Sequence, residues 1–406
     1  MEQRSLSLKL SAVYIDIYGV LACFYPFLTV YFQQRGLSFT EMGIAFALVS
    51  LTSVIAQPVW GFVADKYSNK RTILLITLFF SALVVYSLVL ASDFYFVIGS
   101  IVLVMAFQSP VVPVADAYCY ALIKQYSWLQ YGRIRMMGSL GYAVIVLLLG
   151  WIVKYFGINS VYFAYSIISL CGMFLVLGID FKDKVTRQTV KLQDVANLLR
   201  NKKVLLLLLA IVFTNIAIGS NSSYISILIE QTGGDVAQIG IVWFIVAISE
   251  LPVLFVGAKL LRNYGELNLY LVGLSLYVVR YLLDSFCTWY VSVAAIQLMQ
   301  GITYTFFLVA SLEYLNRIAP GKIKTVAMTL HAASIAIGGV IGNLGGGILL
   351  EYVNIFVFYK VVAVVCLLGM GFLVGLKKID MQASGETAMK CSRENAAWQQ
   401  IKSLSR

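Results

Sequence analysis

Histidine is almost absent from this 406-residue chain, which carries His331 alone, and its six cysteines, Cys23, Cys119, Cys171, Cys287, Cys366 and Cys391, stand far apart. One histidine without neighbouring ligands makes no metal site, and cysteines without paired spacing read as small apolar fillers, not as a redox pair. No glycine-rich loop ending in Lys-Ser or Lys-Thr occurs, which argues against ATP dependence. Charge is scarce as well: 12% of residues are charged against 60% hydrophobic. A soluble domain of that composition would lack the polar surface to cover itself, so the solvent is expected to be lipid. No metal, cofactor or catalytic residue is expected, and a membrane-embedded enzyme is disfavoured because no nucleophile with its base is in view.

What the chain does have is long apolar runs. A spanning helix needs about 20 apolar residues, and about twelve such stretches fit between residues 10 and 376, leaving only short connections and no room for a soluble catalytic domain. The segment from Leu6 has no usable basic region before it and no small-residue cleavage site after it, so it reads as the first span and not as a removed signal.

The net charge of +11 does not point to nucleic acid, because the bases follow a membrane alternation and do not gather on one surface. Lys9, Lys66, Lys70, Arg71, Lys124, Arg200, Lys259, Arg317 and the tail from Lys377 fall on one side; Arg35, Lys154 and Lys360 fall near the other. By the positive-inside rule both termini are cytoplasmic, in a multi-pass protein of the cell membrane.

The run Gln57-Pro58-Val59-Trp60-Gly61-Phe62-Val63-Ala64-Asp65-Lys66, followed by Lys70 and Arg71, is an apolar helix emerging at its cytoplasmic end. A longer polar stretch, Asp180 to Lys203, divides the chain into halves that echo one another. Gly132-Arg133-Ile134-Arg135 leads into the fifth span and Gly321-Lys322-Ile323-Lys324 into the eleventh. The expected organisation is a six-helix bundle over 1–180, a cytoplasmic loop over 181–203, a second six-helix bundle over 204–376 and a cytoplasmic tail over 377–406, either flexible or a short surface helix. The fold class is therefore all-α integral membrane, with twelve helices in two pseudo-symmetric bundles and a solute site at midplane between them.

Ionisable groups at membrane depth are costly and usually face a cavity or a partner. Asp116, in the fourth span behind Pro110 and Pro113, is expected to partner Arg135 at the start of the fifth, either holding solute or locking two helices. Glu250 in the eighth span and Arg280 in the ninth repeat that arrangement, as a proton carrier with its arginine or as a static pair. Asp16 lies between Tyr14 and Tyr18, so it either contacts proton or solute or is held by the two phenols. His331 is expected to pack or hydrogen-bond, and the glycines from Gly338 to Gly347 to allow close helix packing.

These motifs resemble the oligosaccharide:proton symporter branch of the major facilitator superfamily, the lactose-permease type, and the related phenylpropionate and nucleoside permeases. The likeness covers nearly the whole chain and rests on Gln57-Pro58 to Asp65-Lys66, on Tyr131-Gly132-Arg133-Ile134-Arg135 with Gly138, and on Ser249-Glu250 followed by Arg280. It implies solute binding by Asp116, Arg135 and Tyr142 with Glu250 and Gln300, proton coupling through Glu250, Arg280 and Asp16, and a cytoplasmic gate at Gly61, Asp65, Lys66 and Arg71. The chain departs from that type where Gln297, Gln300 and Thr303 replace the ionisable residues of the tenth helix, and where Ile218 and Asn221 stand near the acids of the seventh. Coupling then falls to Glu250, Asp116 or Asp16.

The expected activity is import of a small polar organic solute with a proton, by alternating access and as a monomer in the lipid bilayer. Sugars or glycosides come first. Aromatic acids or nucleosides, or uniport without a proton, are the alternatives, and the partners are the solute and the proton, with no nucleic acid.

Overall fold

The computed structural model describes residues 2–67, 70–126, 128–179, 200–319 and 324–404. Most of the expected central loop and residues 321–323 of the repeat lie outside the described residues, as does the side chain of Asp65. Twelve helices long and apolar enough to span a membrane follow one another: α1 Leu6–Gln34, α2 Phe39–Ala64, α3 Lys70–Leu90, α4 Phe94–Gln125, α5 Tyr131–Phe156, α6 Ser160–Leu177, α7 Lys202–Gln231, α8 Val236–Val253, α9 Glu266–Asp284, α10 Tyr290–Ile318, α11 Val326–Tyr352 and α12 Ile355–Gln382. Helices are the natural solution here, because lipid offers no partner for backbone N–H and C=O groups. The α12 helix continues through the expected tail to Leu404.

Four spans are interrupted, α3 among them at Val85-Tyr86. Pro26 turns α1 through a short 3₁₀ segment at Tyr25–Phe27. Ser109-Pro110 divides α4, and Leu298-Met299 divides α10 between Gln297 and Gln300. At the helix starts, Asp93 caps α4, and Asp235 caps α8 in a reciprocal box with Gln238. Both arrangements satisfy N–H groups that a helix start leaves without partners.

Side chains such as Leu103, Phe163, Ile167, Phe174 and Leu368 are exposed on the outside of the bundle, as lipid contact requires. Inside, α1 packs on α5 and α6, while α7 packs on α11 and α12. The two halves meet chiefly through α2 against α11 and α5 against α8. Glycine makes both contacts possible: a methyl group at Gly43 would meet the backbone of Gly347, and one at Gly150 the backbone of Ala237 and Gly240.

Those crossings sit at one end of the molecule, where α2 and α8 begin and α5 and α11 finish. Polar bonds between the halves reinforce that end: Lys154 pairs with Asp235 at 2.8 Å, the Thr40 amide donates to Glu351 at 3.1 Å, and Gln33 Nε2 donates to Glu230 at 2.9 Å. At the opposite, basic end the described bonds stay inside one half. Lys9 donates to the Gly178 carbonyl and Arg71 to that of Leu177, while Lys203 and Arg317 both pair with Asp380. Among the described residues the polar bonds that join the halves thus gather at the first end, which they close.

Candidate functional site

Between the halves lies a cavity of about 760 Å³. Its wall takes Leu21 and Tyr25 from α1, Phe46 to Pro58 from α2, Tyr142 from α5, Asn215 to Ser223 from α7, Trp243 from α8, and Thr329 to Asn343 from α11. Among these described lining residues none is charged; hydroxyls and amides (Ser50, Ser53, Gln57, Asn215, Ser222, Ser223, Thr329, Asn343) alternate with the rings of Tyr25, Tyr142 and Trp243. Asn343 closes the floor: its Nδ2 donates to the Phe46 carbonyl and to Ser50 Oγ, each at 3.2 Å, and its Oδ1 accepts from Ser223 Oγ at 2.9 Å. The lining climbs from that floor toward Pro58 and Thr329, near the basic end.

Of the five side chains expected to bind solute, only Tyr142 lines this cavity. The charged ones occupy the adjoining side, and their pairing differs from expectation. Asp116 accepts from the Tyr14 hydroxyl at 2.6 Å, and no ion pair joins it to Arg135 among the described residues. Arg135 instead lies over the Tyr18 ring, its guanidinium carbon 3.9 Å from the ring centroid, and donates to Ser139 Oγ at 3.3 Å. Glycine at 138 is what admits the Tyr18 ring, because a methyl group there would run into it. Among the described residues Asp16 is not hydrogen-bonded to its flanking phenols: it packs against Gly172 of α6, and its Oδ2 is buried with no described partner.

The second expected pair is also rearranged. The Arg280 guanidinium donates to the side-chain carbonyls of Gln300 and Gln297, not to Glu250. Gln297 passes the contact on, its Nε2 lying 3.4 Å from both carboxyl oxygens of Asp284. Asp284 escaped the sequence reading because it closes the ninth span, where an acid is ordinary. The signal was its position four residues after Arg280, on one helix face. Gln297, Gln300 and Asn221 thus do not line the solute cavity; the first two hold Arg280, and Asn221 accepts from the Tyr359 hydroxyl at 3.0 Å.

Glu250 sits where α10 presses on α8, since a side chain at Gly301 would collide with the backbone of Ser249 and Glu250. The charges of Arg135 and Arg280 both act on Glu250, which in turn acts on the ring hydroxyls of Tyr142 and Tyr304. Glu250 therefore joins the uncharged cavity to the charged lobe, touching both halves electrostatically. Sequence reasoning overlooked most of the cavity wall, Asn215, Ser222, Trp243 and Asn343 among it, because isolated neutral polar residues in a span carry no pattern.

At the basic end, Arg71 reaches from α3 to the last carbonyls of α6, Val176 and Leu177, at 3.3 and 2.6 Å. Gly61 has open space around its Cα and Lys66 is exposed, so the motif lies at the surface of the basic end. His331 is hydrogen-bonded to Ser311 at 2.9 Å inside the second bundle.

The chain is 28% identical over 377 residues to the maltose permease of Geobacillus stearothermophilus, across 92% of this chain and 95% of that protein. It is 24% identical to the lactose permease of Klebsiella oxytoca, over 75% and 78% of the two chains, and 22% identical to the putative nucleoside transporter YegT of Escherichia coli (strain K12), over 81% of each. The crystal structure of the nucleoside transporter NupG superposes with a TM-score of 0.81 at 15% identity, covering 92% of this chain and 99% of that one, which establishes the fold. These relatives are transporters and not enzymes, and so is this protein. The model of the MFS_1 like family matches residues 7–361, and the chain belongs to that family, within the major facilitator superfamily.

Proposed function

We propose that this protein imports a neutral, hydroxyl-rich solute of the sugar class together with a proton, by alternating access. The observation that carries this reading is the uncharged cavity between the halves, whose described wall offers hydroxyls, amides and rings but no counter-charge for an acid. Hydroxyl-rich ligands match such donors and acceptors, and their apolar ring faces stack on aromatics. The likeness to a maltose permease along nearly the whole chain supports the same class. Nucleosides form the second reading, favoured by the rings of Tyr25, Tyr142 and Trp243 and by the similarity to YegT. Aromatic acids are disfavoured for want of a cation in the wall.

Glu250 is the coupling carboxyl in this reading, since among the described carboxyls it is the one within electrostatic reach of Tyr142 on the cavity side and of both arginines on the other. Asp116 and Arg135 stand outside the described cavity wall and in this reading reach the solute only as the halves rock. The basic end is cytoplasmic in this reading by the positive-inside rule, so the end at which the described polar bonds join the halves is the outer one. Gly61, Lys66 and Arg71, with Asp65, form the latch that closes the cytoplasmic end in the opposite state, and the protein works as a monomer in the cell membrane.

The test uses purified protein in proteoliposomes with maltose, lactose, uridine and an aromatic acid, comparing wild type with Glu250→Gln. Alkalinisation outside on addition of maltose or lactose, lost in the variant, is the expected result. A signal only with the aromatic acid would overturn the substrate class, and solute entry without a proton signal would overturn symport.

A further inference from the structure

Arg280 is buried to 1% exposure, yet its guanidinium rests on two neutral amides and not on a carboxylate. Two carboxyls flank it. Glu250 on α8 lies within its electrostatic reach on the cavity side, and Asp284, fully buried, lies beyond Gln297 on the other. Neither forms an ion pair with it among the described residues. Gln297 Nε2 at 3.4 Å is the sole side-chain donor described for Asp284. Around Asp284 the other titratable groups are Cys287 on the following turn and Tyr359 on α12, whose hydroxyl is turned to Asn221. Lys360, also on α12, lies over the Phe286 ring.

In a low-dielectric interior one buried guanidinium is compensated by one negative charge, and a second carboxylate would leave a costly unpaired anion. The charge of Arg135 also reaches Glu250, but Asp116 shares its field around Tyr18, so the two together add no net charge to the balance. Glu250, Arg280 and Asp284 together are neutral only with one proton among them. Asp284 is also placed at the closed end: α9 finishes there, and the first amide of α10, Tyr290, is bonded to Thr232 at the end of α7.

We propose that Asp284 is a second proton-coupling carboxyl, sharing one proton with Glu250 across Arg280. This rests on the symport reading above. The proton enters from water at the closed end once that end opens, resides on one of the two carboxyls while Arg280 compensates the other, and leaves from Glu250 toward the basic end. Only O–H bonds form and break. The ionisable groups missing from the tenth helix are replaced, in this view, by an acid on the ninth reached through Gln297.

The experiment is uptake of radiolabelled maltose, or uridine if maltose does not enter, into proteoliposomes with and without a pH gradient, beside exchange at equal concentrations, which needs no net proton movement. Asp284→Asn is expected to lower gradient-driven accumulation at least ~10-fold and abolish the proton signal, while exchange stays within about twofold of wild type. Retention of accumulation and proton signal in that variant would overturn the proposal while leaving symport standing. If Asp284→Asn also loses exchange or does not fold, Asp284→Glu decides: a carboxyl retained but moved shifts the pH profile of accumulation, and an unchanged profile overturns the proposal. A wild type that moves solute without protons overturns symport itself, and the role of Asp284 with it.

Discussion

The indole Nε1 of Trp60 donates to the carbonyl of Ala106 at 2.8 Å, and that carbonyl lies four residues before Pro110. Proline has no N–H, so in α4 it leaves the carbonyl four residues earlier without its helical donor. The same holds one turn later: Pro113 strips the Ser109 carbonyl, and Gln57 Nε2 reaches it at 3.3 Å. The Gln57-Pro58-Val59-Trp60 run of α2 thus repairs the two gaps that Pro110 and Pro113 open in α4. Trp60→Phe is expected to cost about 1–3 kcal/mol by leaving that carbonyl unmade, read as a lower melting temperature in detergent. In a Pro110→Ala background the N–H at 110 is restored, and the same substitution should cost much less. Equal costs in both backgrounds would show that the bond carries no such compensation.

The fold was legible because its cause is repeated along the whole chain: apolar runs of spanning length, bases at alternate ends and a polar stretch at the centre. The residues of the charged lobe were legible too, since Asp116, Arg135, Glu250 and Arg280 stand out against lipid-compatible surroundings. Their partners were not. Neighbouring spans suggested Asp116 with Arg135 and Glu250 with Arg280, but Tyr14 takes the first acid, and Gln297 with Gln300 takes the second arginine. A phenol or an amide that satisfies a buried charge has no sequence signature, and its choice depends on helix rotation. Asp284 shows the same limit from the other side, as an acid at a span end that only tertiary packing reveals as buried.

Lys154 and Asp235 bind the end of α5 to the start of α8 across the halves at 2.8 Å. Burial pushes the Asp235 carboxyl up, but the hydrogen bond from Lys154 and those from the backbone N–H groups of Ala237 and Gln238 outweigh it and hold it below the usual carboxylate range. A depressed carboxyl stabilises the closed end above its ordinary pKa, and that contribution fades as pH falls through the lowered value. At neutral pH it is fully present. Both groups are partly exposed, so salt weakens the pair as well. Lys154→Gln leaves the Asp235 cap of α8 in place and should raise the fraction of molecules open at this end. Spin labels at the exposed positions Tyr155 and Tyr352 read that fraction as longer distances. Wild type at high salt should move the same way, and an unchanged distance distribution in the variant would remove the pair from the closure of this end.

Tyr142 separates the two ways in which the cavity can grip a ring. Its hydroxyl has no hydrogen-bond partner among the described residues, while its ring forms part of the wall beside Glu250. If the ring face supplies the affinity, Tyr142→Phe keeps the contact and leaves binding near wild type. Tyr142→Ala then removes a face worth about 1–3 kcal/mol, by the measure of rings stacked on aromatic side chains, a loss of roughly 5- to 150-fold in affinity. Should the hydroxyl be the donor that matters, Phe and Ala will be comparably poor. Competition binding with the transported member of the maltose, lactose and uridine set distinguishes the two outcomes directly. A full effect in Phe would turn the recognition from stacking to hydrogen bonding and move the α5 side of the site toward Glu250, whose charge already reaches that hydroxyl.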